Sequence, residues 1–147
     1  MGLNFYLIMK FLTLTIMLLH PLLGGSLKYE DKKITSMLKE YFNASKTNIV
    51  LLGRQFFEDE DRTVFQIDIE CDIKDINNAI LFSFEVVTIL SRISVTSFTH
   101  SILIIHFNSN TIPIVAEANI LCSEKFFVKK IYNENKWRKN CLIIKNL

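Results

Sequence analysis

Hydrophobic and polar positions follow several different rhythms along this chain, and each rhythm predicts a different element. From Phe11 to Leu19 the run FLTLTIMLL carries no charge, with Lys10 just before it and Pro21, Gly24, Gly25 and Ser26 after it. A positive start, a short apolar stretch and small residues at a cleavage position are the order of a secretory signal, here residues 1–26. A membrane-spanning helix needs about 20 apolar residues, a length reached only by counting residues 3–25 across Lys10. An uncleaved anchor and a buried helix are the alternatives to a cleaved signal. Translation from Met9 would give the more compact leader MKFLTLTIMLLHPLLGGS. No cysteine follows the apolar run, which argues against lipid attachment.

Beyond residue 27 the rhythm becomes helical. Residues 31–42 place Ile34, Leu38, Tyr41 and Phe42 on one side and Lys32, Lys33, Lys39 and Glu40 on the other, the pattern of a short amphipathic helix. Residues 48–57 are β-prone, and after the acidic stretch Glu58–Asp61 the period falls to two. Phe65, Ile67, Ile69 and Cys71 then alternate with Val64, Gln66, Asp68 and Glu70, which predicts a hairpin turning on the acidic stretch. Residues 76–93 predict a longer, greasier helix, with Asp72 or Asp75 able to cap its free N–H groups. Its apolar stripe is Ile76, Ala79, Ile80, Phe84, Val87 and Leu90. Phe82 falls instead in the narrow polar stripe with Asn78, Glu85, Thr88 and Arg92, which makes it a candidate partner contact.

Residues 97–107 predict a strand, NSNT at 108–111 a turn, and 112–122 another strand with Ile114, Ala116, Ala118, Ile120 and Cys122 on one face. Pro113 fits only near a strand start or on an edge. Past Cys122 two readings compete. Ser123 can cap a helix with Phe127, Ile131 and Tyr132 inward, or FFVKKIY can form a fifth strand before a terminal helix; a mostly helical tail is favoured. The whole predicts one α+β domain over 27–147, with αββαββ order plus a C-terminal helix. Its small antiparallel sheet has four or five strands, with helices packed on one face. The two αββ halves suggest a repeat, since Cys71 and Cys122 would each close a hairpin.

Composition narrows the function. Lys10 is the only charged residue before position 27, so 16 basic and 15 acidic side chains remain beyond it. That balance offers no field for phosphate, and nucleic acid is excluded as a partner. Three cysteines in an exported domain allow one disulfide. Cys71 and Cys122, both on apolar faces near strand ends, are the first candidates, with Cys141 able to reach either if the tail folds back.

The search for chemistry is mostly negative. The chain has no GxSxG, HExxH, glycine-rich phosphate loop or zinc spacing, and no cofactor, metal or catalytic residue is assigned. His100 and His106 would stand about 20 Å apart on one strand face with Phe98, Ile102 and Ile104, too far to share a metal. The acidic turn lacks the glycine and spacing of a calcium loop and reads as a solvated hairpin tip. Asn43-Ala44-Ser45 is a glycosylation sequon. Trp137, among Lys125, Lys129, Lys130, Lys136, Arg138 and Lys139, is a second candidate contact, towards a protein or an anionic membrane surface. Three functions follow. The favoured one is an exported or membrane-tethered, non-catalytic interaction or assembly module. The alternatives are a carrier of small hydrophobic ligands and a hydrolase using Asp68, Glu70 or Glu117; an enzyme is the less favoured outcome.

Overall fold

The computed structural model describes residues 27–107 and 111–146. The expected export signal and most of the expected turn at 108–111 lie outside the described residues. Tyr29 ties the start of the domain down: its N–H donates to Ile93 O at 2.6 Å, and its carbonyl accepts from Val95 N at 2.9 Å.

Helix α1 (Asp31–Ala44) buries Ile34, Leu38 and Phe42 at the spacing that brings side chains onto one face. Tyr41, expected on that face, is exposed. Strands β1 (Val50–Asp59) and β2 (Arg62–Cys71) form the expected hairpin, closed by the pair Asp59 and Arg62. A short 3-10 turn, Ile73–Asp75, leads into α2 (Ile76–Ser91), whose first turn gains no capping hydrogen bond from the Asp75 side chain. Strands β3 (His100–Phe107) and β4 (Ile114–Asn119) follow, and Pro113 stands just ahead of the second of them.

From Ile120 the chain departs from expectation. The two-residue alternation that carries Ile120 and Cys122 into a strand is broken at Asn119, whose side-chain oxygen accepts from Cys122 N at 2.9 Å. That cap starts α3 (Ile120–Phe127), so Asn119 rather than Ser123 opens the helix. Ile131, expected inward, is exposed. Helix α4 (Glu134–Cys141) is capped in the same way by Asn133, which accepts from Lys136 N at 2.9 Å. The fifth strand is β5 (Leu142–Asn146) at the C-terminal end, not FFVKKIY.

The sheet runs β1-β2-β3-β4-β5, every neighbour pair antiparallel except β2 and β3. The parallel centre departs from the expected antiparallel pattern, which the other three pairs follow. Helix α2 carries the chain back to the end where β2 began, and such a crossover joins parallel strands. The expected repeat also loses its marker, because Cys71 closes β2 whereas Cys122 lies in the first turn of α3.

One face of the sheet carries the core. Phe65, Ile67, Ile69 and Cys71 stand beside Leu103 and Ile105, then Ala116 and Ala118, all buried with the inner faces of the helices. Two aromatic groups anchor it. Phe56, Phe65 and Phe98 pack with centroids 4.3 to 5.5 Å apart. Trp137 meets Phe84, Phe126 and Phe127 at 5.9, 5.6 and 5.0 Å.

Cys122 is bonded to Cys141, with Cα atoms 5.5 Å apart, and not to Cys71, which is a buried free thiol. The bridge ties α3 to the end of α4 and closes a loop with a sequence separation of 19. A closure of that length contributes about 3 kcal/mol by restricting the unfolded chain. Burial pushes the Cys71 thiol above its ordinary pKa, with Asp75, Asp72 and Glu70 adding to the effect, so it stays protonated and unreactive.

Candidate functional site

The described helices lie on one side of the sheet, and none of them covers the other. Register places Val64 opposite His100, Gln66 opposite Ile102, Asp68 opposite Ile104 and Glu70 opposite His106. On the next strand Asn119, Glu117 and Val115 stand opposite His100, Ile102 and Ile104, and Ile143 and Lys145 of β5 continue the rows. Ile102, Ile104 and Val115 are half-buried, and Ile143 is 55 % exposed.

An ionic network bounds this apolar patch. The Arg62 guanidinium donates to Asp59 Oδ2 at 2.6 Å and to Glu117 Oε1 at 2.7 Å, reaching from β2 across β3 to β4. Lys145 Nζ lies 3.6 Å from the second Glu117 oxygen. The hydrogen bond to Asp59, then that to Glu117, holds Arg62 charged despite the cost of desolvation. His100 belongs to the same end of the sheet. Its Nδ1 is 2.9 Å from Thr99 Oγ1 and its Nε2 is 3.5 Å from the Asn119 amide. Burial first, and Arg62 second, push this imidazole below its ordinary pKa. Arg62 is the member that sequence reasoning missed, for its only signal is a place at a strand start beside a run of acids.

The candidates picked out in the sequence fall differently. Asp68, Glu70 and Glu117 do stand on one face, which none of the described helices covers. Glu117 is held across the sheet by Arg62 and Lys145, and Asp68 accepts from Gln66 Nε2 of its own strand at 2.8 Å. His100 and His106 share the face with Ile102 and Ile104, whereas Phe98 turns into the core. Among the described residues, no group of three or more His, Cys, Asp or Glu side chains is placed to hold a metal ion. The Glu58 tip is engaged locally, accepting from Thr63 Oγ1 at 2.8 Å.

The two expected partner contacts are placed differently. Phe82 is half-buried and packs edge-on against Phe42 of α1 at 5.0 Å, while Asn78 and Glu85 of the same stripe are exposed. Trp137 is wholly buried and donates through Nε1 to Ser123 Oγ at 3.0 Å. It is therefore out of reach of a membrane surface. Around it the tail's cations turn to local partners: Arg138 to Glu134 at 2.8 Å, Lys129 to Glu124 at 3.7 Å, and Lys136 over the Tyr132 ring at 4.5 Å. Asn43 is exposed in the last turn of α1. No helix among the described residues is long and apolar enough to cross a membrane. Comparison with protein-family models, with curated proteins and with solved structures returns no significant match.

Proposed function

We propose that this protein is an exported, non-catalytic interaction or assembly module that meets a protein partner through the open face of its sheet. The observation that carries the reading is that face: Ile102, Ile104 and Val115 form an apolar cluster that none of the described helices covers, with Ile143 beyond Glu117 on the last strand. Isolated apolar residues are ordinary on a surface, but a contiguous patch bounded by polar groups is the usual anatomy of an interface. The charges beside it are largely neutralised within the network of Arg62, Asp59, Glu117 and Lys145. That suits a weakly charged protein surface better than a polyanion. Export is supported by the Cys122–Cys141 bridge, since such bonds persist in oxidising compartments, and by the order of residues 1–26.

The test is an Ile104→Lys variant made in the native host. The expected result is a smaller native mass for the exported variant than for the parent protein, by sedimentation, with the same thermal transition. An unchanged mass at a retained fold overturns the reading.

A further inference from the structure

We infer that the groove between the end of α1 and the free edge of β1 binds an extended, acidic segment of a partner polypeptide by strand addition. The groove is separate from the open face and goes beyond the function proposed above. It has a volume of about 290 Å³ and runs beside Val50 to Arg54. Its floor is apolar, formed by Phe42 and Ile49, both buried, and by half-buried Leu51. Among the described residues β1 is paired only with β2, so its outer edge presents backbone N–H and C=O groups that no described strand pairs.

Two features distinguish this edge from one merely left bare. The register between β1 and β2 shifts between Leu51 and Gly53, and such a bulge re-aims the strand and its side chains. Val50 and Leu52 are 54 % and 52 % exposed, a large apolar display for an edge strand that charge or proline would ordinarily protect.

Charge identifies the occupant. Lys39 and Arg54 line the groove with no acidic residue among its walls, and neither has an ion-pair partner among the described residues. Each is free to meet a carboxylate. An extended chain rises about 3.3 Å per residue, so the stretch from Val50 to Arg54 matches a peptide of about five residues. Main-chain hydrogen bonds to β1 would supply affinity, and an apolar side chain over Phe42 and Ile49 with acidic neighbours facing Lys39 and Arg54 would supply selectivity.

The test presents the full chain, made in a host that does not glycosylate Asn43, to a phage-displayed library of random peptides, and maps selected peptides by amide chemical shift. Expected are sequences mixing acidic and apolar residues, and shifts concentrated at 39–43 and 49–54. The Lys39→Glu/Arg54→Glu variant should bind them about tenfold more weakly or worse. A Lys39→Gln/Arg54→Gln variant stands in if charge reversal impairs folding. Basic or no selected peptides, shifts confined to the open face, equal binding by the variants, or pairing of β1 with a second copy in sedimentation would each overturn the inference.

Discussion

The indole Nε1 of Trp137 donates to Ser123 Oγ at 3.0 Å, and both residues are wholly buried. This bond joins the two short helices that the disulfide also joins, and it satisfies two polar groups that would otherwise be costly inside the core. The C-terminal region, the most basic of the chain, is thus built around one buried aromatic.

Trp137→Ala should accordingly cost about 3–5 kcal/mol by opening a cavity between Phe84, Phe126 and Phe127. Trp137→Phe should cost less, with the loss weighted towards the orphaned Ser123 hydroxyl. Urea unfolding of both variants against the parent protein checks the order.

The Cys122–Cys141 bond should contribute about 3 kcal/mol. Cys122→Ser/Cys141→Ser, or reduction of the parent protein, should lower the unfolding midpoint by similar amounts. The buried Cys71 thiol should resist alkylation until the protein unfolds. Timed labelling with iodoacetamide, followed by mass spectrometry, reads both effects.

Ser83 and Thr88, the latter expected on the polar stripe, bury hydroxyls on α2 that have no hydrogen-bond partner among the described residues. Replacing an unsatisfied buried hydroxyl by an apolar group of similar shape removes a desolvation cost of about 1 kcal/mol or more. Thr88→Val should therefore raise the thermal midpoint, whereas Thr88→Ser should not.

The depressed pKa of His100 sets a pH dependence. Because the folded protein holds the imidazole neutral more firmly than the unfolded chain does, the unfolded state binds more protons below the ordinary value of 6.5. Stability from this site is present above that pH and is lost as pH falls through the folded value. His100→Gln should flatten the acid side of the stability curve, as measured by urea titration from neutral to mildly acidic pH.

The elements from Asp31 to Ser91 were legible because their apolar spacing changes cleanly from helical to alternating and back. Strand direction was not, since the sequences of β2 and β3 look the same whether α2 crosses the sheet or turns back beside it. The end of β4 was hidden because Ile120 and Cys122 continue an alternation that Asn119 interrupts only by using its side chain as a cap. Trp137 misled because a short helix needs one buried residue, and its many cations mark only the wet side. A sheet face was one expected contact surface, but its outward residues were not legible for a related reason. The run ILII at 102–105 has no polar alternation, so outward Ile102 and Ile104 cannot be told from inward Leu103 and Ile105 until the sheet has its register. The disulfide could not be assigned by spacing, because three cysteines permit three pairings and only the fold of the tail selects Cys141.

The account rests most heavily on an oxidising destination, and N-terminal sequencing with non-reduced peptide mapping tests it directly on protein recovered from its own host by fractionation. The account predicts a start near Leu27 in the exported fraction, the Cys122 and Cys141 peptides linked, and Cys71 free. Protein retained in the cytoplasmic fraction with residues 1–26 intact and three free thiols would contradict it.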